Sequence, residues 1–128
     1  MKLSRALLHA LRIGDAVLFW PVLFYVIWGE VGTLQVPDYL EEANDKTLHF
    51  MAYFVLAAMA GAALKKRSAV IGAALALIAL GGVLEIIQGF VGRDMSLYDE
   101  LANTGGVIIG AVVGWLLVKA LRERLGYW

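Results

Sequence analysis

Residues 69–91 read AVIGAALALIALGGVLEIIQGFV, an apolar run with a single charge, Glu85. At a rise of about 1.5 Å per residue such a run is long enough to cross the hydrocarbon core of a bilayer as one helix. Outward from it, residues 48–64 and 101–118 carry no Asp, Glu, Lys or Arg at all. A further apolar stretch, 16–36, contains Pro21 and Glu30, so a kink or an outer turn at headgroup level is expected there. The whole chain of 128 residues is 61% hydrophobic with a mean hydropathy of +0.75. A soluble domain of this size needs more polar surface than that leaves. The fold expected is all-α, a four-transmembrane-helix bundle in one domain over residues 1–128, with spans near 16–36, 48–64, 69–91 and 101–118. Short connections make successive helices antiparallel neighbours.

The charges say how such a bundle is oriented. Lys2, Arg5 and Arg12 precede the first run, Lys65, Lys66 and Arg67 join the second to the third, and Lys119, Arg122 and Arg124 follow the fourth. Glu30, Asp38, Glu41, Glu42 and Asp45, then Asp94, Asp99 and Glu100, fall on the other side, with Lys46 and Arg93 as its cations. By the positive-inside rule both termini are cytoplasmic, which requires an even number of crossings. No small-x-small cleavage site follows the basic start, so the first run is expected to be retained. The chain has no cysteine, which excludes disulfides, thiol catalysis and thiolate metal sites. Its net charge of zero gives no reason to expect nucleic acid.

Small residues recur at helical spacing: Gly106, Gly110 and Gly114 in the fourth run, Ala57 with Gly61 and Ala58 with Ala62 in the second. They permit close backbone approach in lipid, and a seam within the bundle is favoured over a homodimer contact. Trp20, Trp28, Trp115 and Trp128 are expected as interfacial anchors or lipid-facing bulk, and Tyr127 and Trp128 as part of an interfacial C-terminal segment.

The polar residues left inside these runs mark a candidate site. Asp45, His49 and Tyr53 follow at i, i+4 and i+8 on one face, flanked by Lys46 and Phe50. Gln88 and Glu85 lie about 6 and 10 Å below Gly92, one turn apart. Ser96, Asp99 and Asn103 lead into the fourth run. A charged carboxylate at membrane depth costs about 3 kcal/mol or more unless it is paired, protonated or reached by water. Glu85 therefore needs a partner, and Lys46, Arg93 and His49 are the basic groups on its side. Structural roles compete with functional ones: Ser96 and Asp99 read as a capping box, Asn44 or Asp45 as a cap of the second helix, and Asn103 as interhelical glue.

Read together, Asp45, Lys46, His49, Phe50 and Tyr53, then Glu85 and Gln88, then Arg93, Asp94, Ser96, Asp99, Asn103 and Gly106 form an ordered pattern over residues 45–106. It resembles the VanZ-like family of small bacterial integral membrane proteins. The resemblance implies a multi-span bundle in the bacterial inner membrane, linked through the family's namesake to low-level resistance against the glycopeptide teicoplanin.

Three uses of the site follow. The first is recognition of an anionic lipid or cell-envelope headgroup, with Lys46 and Arg93 on phosphate and His49, Tyr53, Glu85, Gln88, Ser96 and Asn103 around it. The second is a non-catalytic structural or assembly subunit of a larger membrane complex. The third is a hydrolase or transferase on a lipid-linked substrate, in which His49 is the acid or base and Glu85 or Asp99 orients it. Partners are thus membrane lipids and possible protein subunits. No cofactor is expected, and no metal either, because Asp45, His49 and Glu85 make a thin donor set.

Overall fold

A computed structural model describes residues 2–32 and 41–124, with side chains described at 5–32 and 45–124. Four helices follow in order: α1 (Lys2–Val31), α2 (Glu41–Ala63), α3 (Arg67–Phe90) and α4 (Leu97–Arg124). Each is long and apolar enough to cross a membrane, so the chain is an all-α four-helix bundle with the architecture of a multi-pass membrane protein. The expected end of the first span at 33–36 and the anchors Tyr127 and Trp128 lie outside the described residues, and Asn44, expected as a cap of the second helix, lies inside α2, which begins at Glu41. Every helix reaches beyond its apolar run, because residues such as Glu100, Lys119 and Arg122 are good helix formers and extend it into the polar flanks. α1 continues as one helix through Pro21.

The bundle is inside-out relative to a soluble protein. Leu18, Trp20, Phe24, Trp28, Phe90 and Leu117 are all exposed, as a lipid-facing surface requires. The buried core sets small residues, Ala57, Ala60 and Ala111, beside larger ones such as Tyr53, Leu56, Leu77 and Val107. α2 packs most extensively on α4, although α3 separates them in the chain. The glycines explain why: a Cβ at Gly106 would strike the backbone oxygen of Phe50, one at Gly110 that of Phe54, and one at Gly114 that of Ala58. From the opposite side, a Cβ on Gly61 would stand 2.5 Å from the Ala111 oxygen. The small-residue stripes therefore form a seam within one chain, in which backbone touches backbone.

α1 docks on α2 and α3 along a single stripe. Phe19, Val22, Leu23 and Val26 pack toward the core, and the stripe ends one turn later at Glu30, which is 9% exposed. The opposite faces of α1 carry the bulky apolar residues.

Candidate functional site

The α3–α4 connection shows how short local rules place a functional side chain. α3 ends at Phe90, and Gly92 adopts φ +85°, a left-handed conformation that glycine takes without a Cβ penalty. The Arg93 N–H then reaches back 3.0 Å to the Gln88 carbonyl, the six-to-one bond of a Schellman turn. Reversed by this turn, the Arg93 guanidinium donates through one Nη to the backbone oxygen of Glu30 at 2.9 Å. Gln88 Nε2 donates to the same oxygen at 2.9 Å. Two side chains expected to contact a ligand thus bind the last turn of α1, where the carbonyls lack helical partners and carry the negative end of the helix dipole.

Glu30 is the residue that sequence reasoning missed. By sequence it is a break near the outer end of the 16–36 run, on the acidic side, with no place in the site, yet it lies in the last turn of α1 and is buried. Its Oε2 accepts a 3.2 Å hydrogen bond from the Tyr53 hydroxyl, and its Oε1 stands 3.4 Å from His49 Nδ1. The signal that could have found it is the spacing of Phe19, Val22, Val26 and Glu30, which continues the core stripe without a break.

His49 sits at the centre of the acidic end. Asp45, four residues before it on α2, approaches Nε2 to 3.7 Å. The cap reading for Asp45 is corrected, because α2 begins at Glu41 and Asp45 lies a turn inside it. On the other side of the ring, Asn103 Oδ1 is 3.1 Å from Nδ1. Asn103 Nδ2 in turn donates to Glu100 Oε2 at 3.4 Å, and Thr104 Oγ1 donates to Glu100 Oε1 at 3.4 Å. Gly81 on α3 makes room for this pair, since a Cβ there would meet Glu100 Oε2 at 2.8 Å.

Glu85 has a different partner from those expected. Its Oε1 accepts the backbone N–H of Ser96. Ser96 precedes the first residue of α4, and its carbonyl receives the N–H groups of Asp99 and Glu100 at 3.1 and 3.3 Å. In a capping box the acid that satisfies the N-cap N–H comes from the same helix, three residues on. Here α3 supplies it, and Asp99 is left free of that duty. Glu85 Oε2 is buried and accepts no hydrogen bond.

The structure thus brings Tyr53, His49, Asp99, Asn103, Gln88 and Glu85 to one buried end, with Arg93 and Ser96 half-buried at its rim. Lys46 is half-buried beside Asp45. The third donor that converges with Asp45 and His49 is Asp99, not Glu85: one donor atom from each lies within 4.8 Å of the others. Chemically, the arrangement offers an imidazole flanked by carboxylates for proton transfer or for holding a cation.

The opposite end is basic. A cavity of about 440 Å³ is lined there by Arg5, His9, Arg12, Lys65 and Arg122. Arg12 Nε donates to the Ala62 carbonyl at 3.5 Å, binding α1 to the last turn of α2 as Arg93 binds α3 to the last turn of α1. Lys119 lies 5.6 Å from the Trp115 ring centroid and 4.0 Å from Glu123.

No family model matches the chain, and neither a curated protein nor a solved structure matches it.

Proposed function

We propose that the chain is a small protein of the bacterial inner membrane, both termini cytoplasmic, whose acidic end recognises the headgroup of a lipid or cell-envelope molecule in the outer leaflet. The observation that carries this reading is the burial of Glu30, His49, Glu85, Gln88, Asp99 and Asn103 together at one end of the bundle. Polar groups at membrane depth are costly, and helices that need only to pack do not require them. Arg93, with donors beyond the one held by Glu30, and Lys46 face a headgroup phosphate. The ordered pattern that resembles the VanZ-like family agrees with a cell-envelope role, and a part in antibiotic resistance belongs to the same proposal.

A second reading has its own observation. Ser96 with Glu85, and Gln88 and Arg93 with Glu30, satisfy polar groups within the chain, as a structural subunit of a larger membrane complex would require. In a hydrolase or transferase, His49 would be oriented by Glu30 and Asn103, since Glu85 serves the start of α4.

Native mass spectrometry of gently solubilised wild type beside Arg93→Ala separates these readings. A specific anionic lipid on the wild type, weakened or lost in Arg93→Ala, is the expected result. Stable protein partners with no specific lipid on either form would sink the headgroup reading and leave the structural subunit.

A further inference from the structure

Glu30, Asp45, Glu85, Asp99 and Glu100 surround one imidazole; among the described residues Glu85 Oε2 is buried without a hydrogen-bond partner, and Glu30 Oε1 has His49 Nδ1 at 3.4 Å. Glu85 is 5% exposed and Glu30 9%. Glu30 Oε1 is answered by the His49 ring, whereas one donor atom from each of Asp45, His49 and Asp99 lies within 4.8 Å of the others, a convergence of metal-ligating groups.

The hydrogen bonds around His49 say which nitrogen is available. An ionised Glu100 can only accept, so the Asn103 amide then turns its NH₂ toward Glu100 and its Oδ1 toward His49. Oδ1 also can only accept, and Glu30 Oε1 lies on the same side, so His49 Nδ1 carries a hydrogen. In the neutral ring the lone pair is then on Nε2, facing Asp45 Oδ1 at 3.7 Å. That separation is too long for a good hydrogen bond. It is close to the roughly 3.4 Å between two donors that share one tetrahedral metal ion at bond lengths near 2.1 Å.

We propose that Asp45, His49 and Asp99 hold a divalent metal ion, with Asn103 and Glu30 orienting the imidazole from behind. Two carboxylates and one imidazole suit Mn²⁺, Fe²⁺, Co²⁺ or Zn²⁺ better than Ca²⁺ or Mg²⁺, which favour oxygen-only sets. Donors on successive turns of α2 and in the first turn of α4 require the α2–α4 seam, so the site exists only in the folded bundle. Three protein ligands leave positions open. An acidic pocket repels a phosphate directly, whereas a metal ion offers the phosphate a positive partner. This last step rests on the headgroup reading; metal binding itself does not.

The test uses the full chain in lipid nanodiscs, stripped with chelator and titrated with Mn²⁺ under electron paramagnetic resonance. One Mn²⁺ per chain is expected, with a nitrogen coupling from His49 in the wild type. His49→Gln and Asp99→Asn, checked for helicity by circular dichroism, should lose stoichiometric binding. Asn103→Leu should weaken it about 10- to 100-fold, as loss of a group behind a ligating histidine does. Glu123→Gln, at the basic end, should bind as wild type. Absence of stoichiometric Mn²⁺, or binding without nitrogen coupling, overturns the proposal whatever the variants do. Retained lipid is scored by mass spectrometry with and without chelator. Lipid lost on chelation supports the metal as the headgroup's partner; one Mn²⁺ with nitrogen coupling and unaltered lipid keeps the metal site and removes the metal as that partner, leaving the headgroup reading to the Arg93→Ala comparison.

Discussion

Tyr53, fully buried, donates its hydroxyl to a glutamate from a different helix, and removal of that one oxygen tests how tightly the acidic end is knit. Tyr53→Phe preserves the ring and leaves Glu30 Oε2 without its donor. We expect a loss of about 1–2 kcal/mol, visible as a lowered midpoint in thermal unfolding followed by intrinsic fluorescence; an unchanged midpoint would mean that the hydrogen bond is replaced by water or lipid. Arg93→Met should act on the same residue from its backbone side. With one of two donors to the Glu30 oxygen removed, amides in the last turn of α1 should exchange faster, while those of α2 hold their rate. His49, Asn103 and Gln88 were legible in the sequence, because a polar residue inside an apolar run stands out. Glu30 was not, since it sits where such a run meets an acidic loop and composition alone reads it as solvated. The partner of Glu85 was also illegible, because it is a backbone N–H, and every residue type except proline has one.

At the scale of elements, the helices were readable from run length and the absence of charge, and their ends were not. Residues 97–100 and 119–124 carry the charges Asp99, Glu100, Lys119, Arg122, Glu123 and Arg124 yet are helical, so α4 extends past its apolar run at both ends. The glycine stripe was visible as spacing, and the seam it makes has a sharp test. Gly110→Val forces a side chain against the Phe54 backbone and should destabilise the bundle by about 1–3 kcal/mol or more, read by chemical denaturation in detergent. Gly14→Ala, with nothing within 4 Å of the added carbon, should be neutral or slightly stabilising in the same assay. The start of α4 offers another. Glu85→Gln retains an acceptor for the Ser96 N–H and should leave the first turn protected. Glu85→Ala removes that acceptor and should raise hydrogen exchange at Ser96 and the following turn, by analogy with lost N-caps worth about 0.5–2 kcal/mol. Equal exchange in the two variants would show that the charge of Glu85, not its acceptor, matters.

For the whole molecule, the uneven charge predicts orientation, and the cysteine-free sequence makes it simple to check. Lys66→Cys and Asp94→Cys each introduce one exposed thiol, at opposite ends of α3. In intact cells a membrane-impermeant maleimide should label the cysteine at position 94 and spare that at 66; the reverse pattern would invert the assigned topology. The sequence was informative here because loop charge acts on insertion directly, without passing through tertiary contacts. What it concealed was the pairing of helices, since α2 prefers α4 over its chain neighbours. That preference has a consequence during synthesis. About 60 residues separate the end of α2 from the end of α4, so at roughly 5–20 residues per second α2 waits about 3–12 s before its partner is complete. Throughout that interval the nascent chain must tolerate Asp45 and His49 without Asp99 and Asn103 opposite them, so the order of manufacture places the costliest groups in the membrane first and their company last.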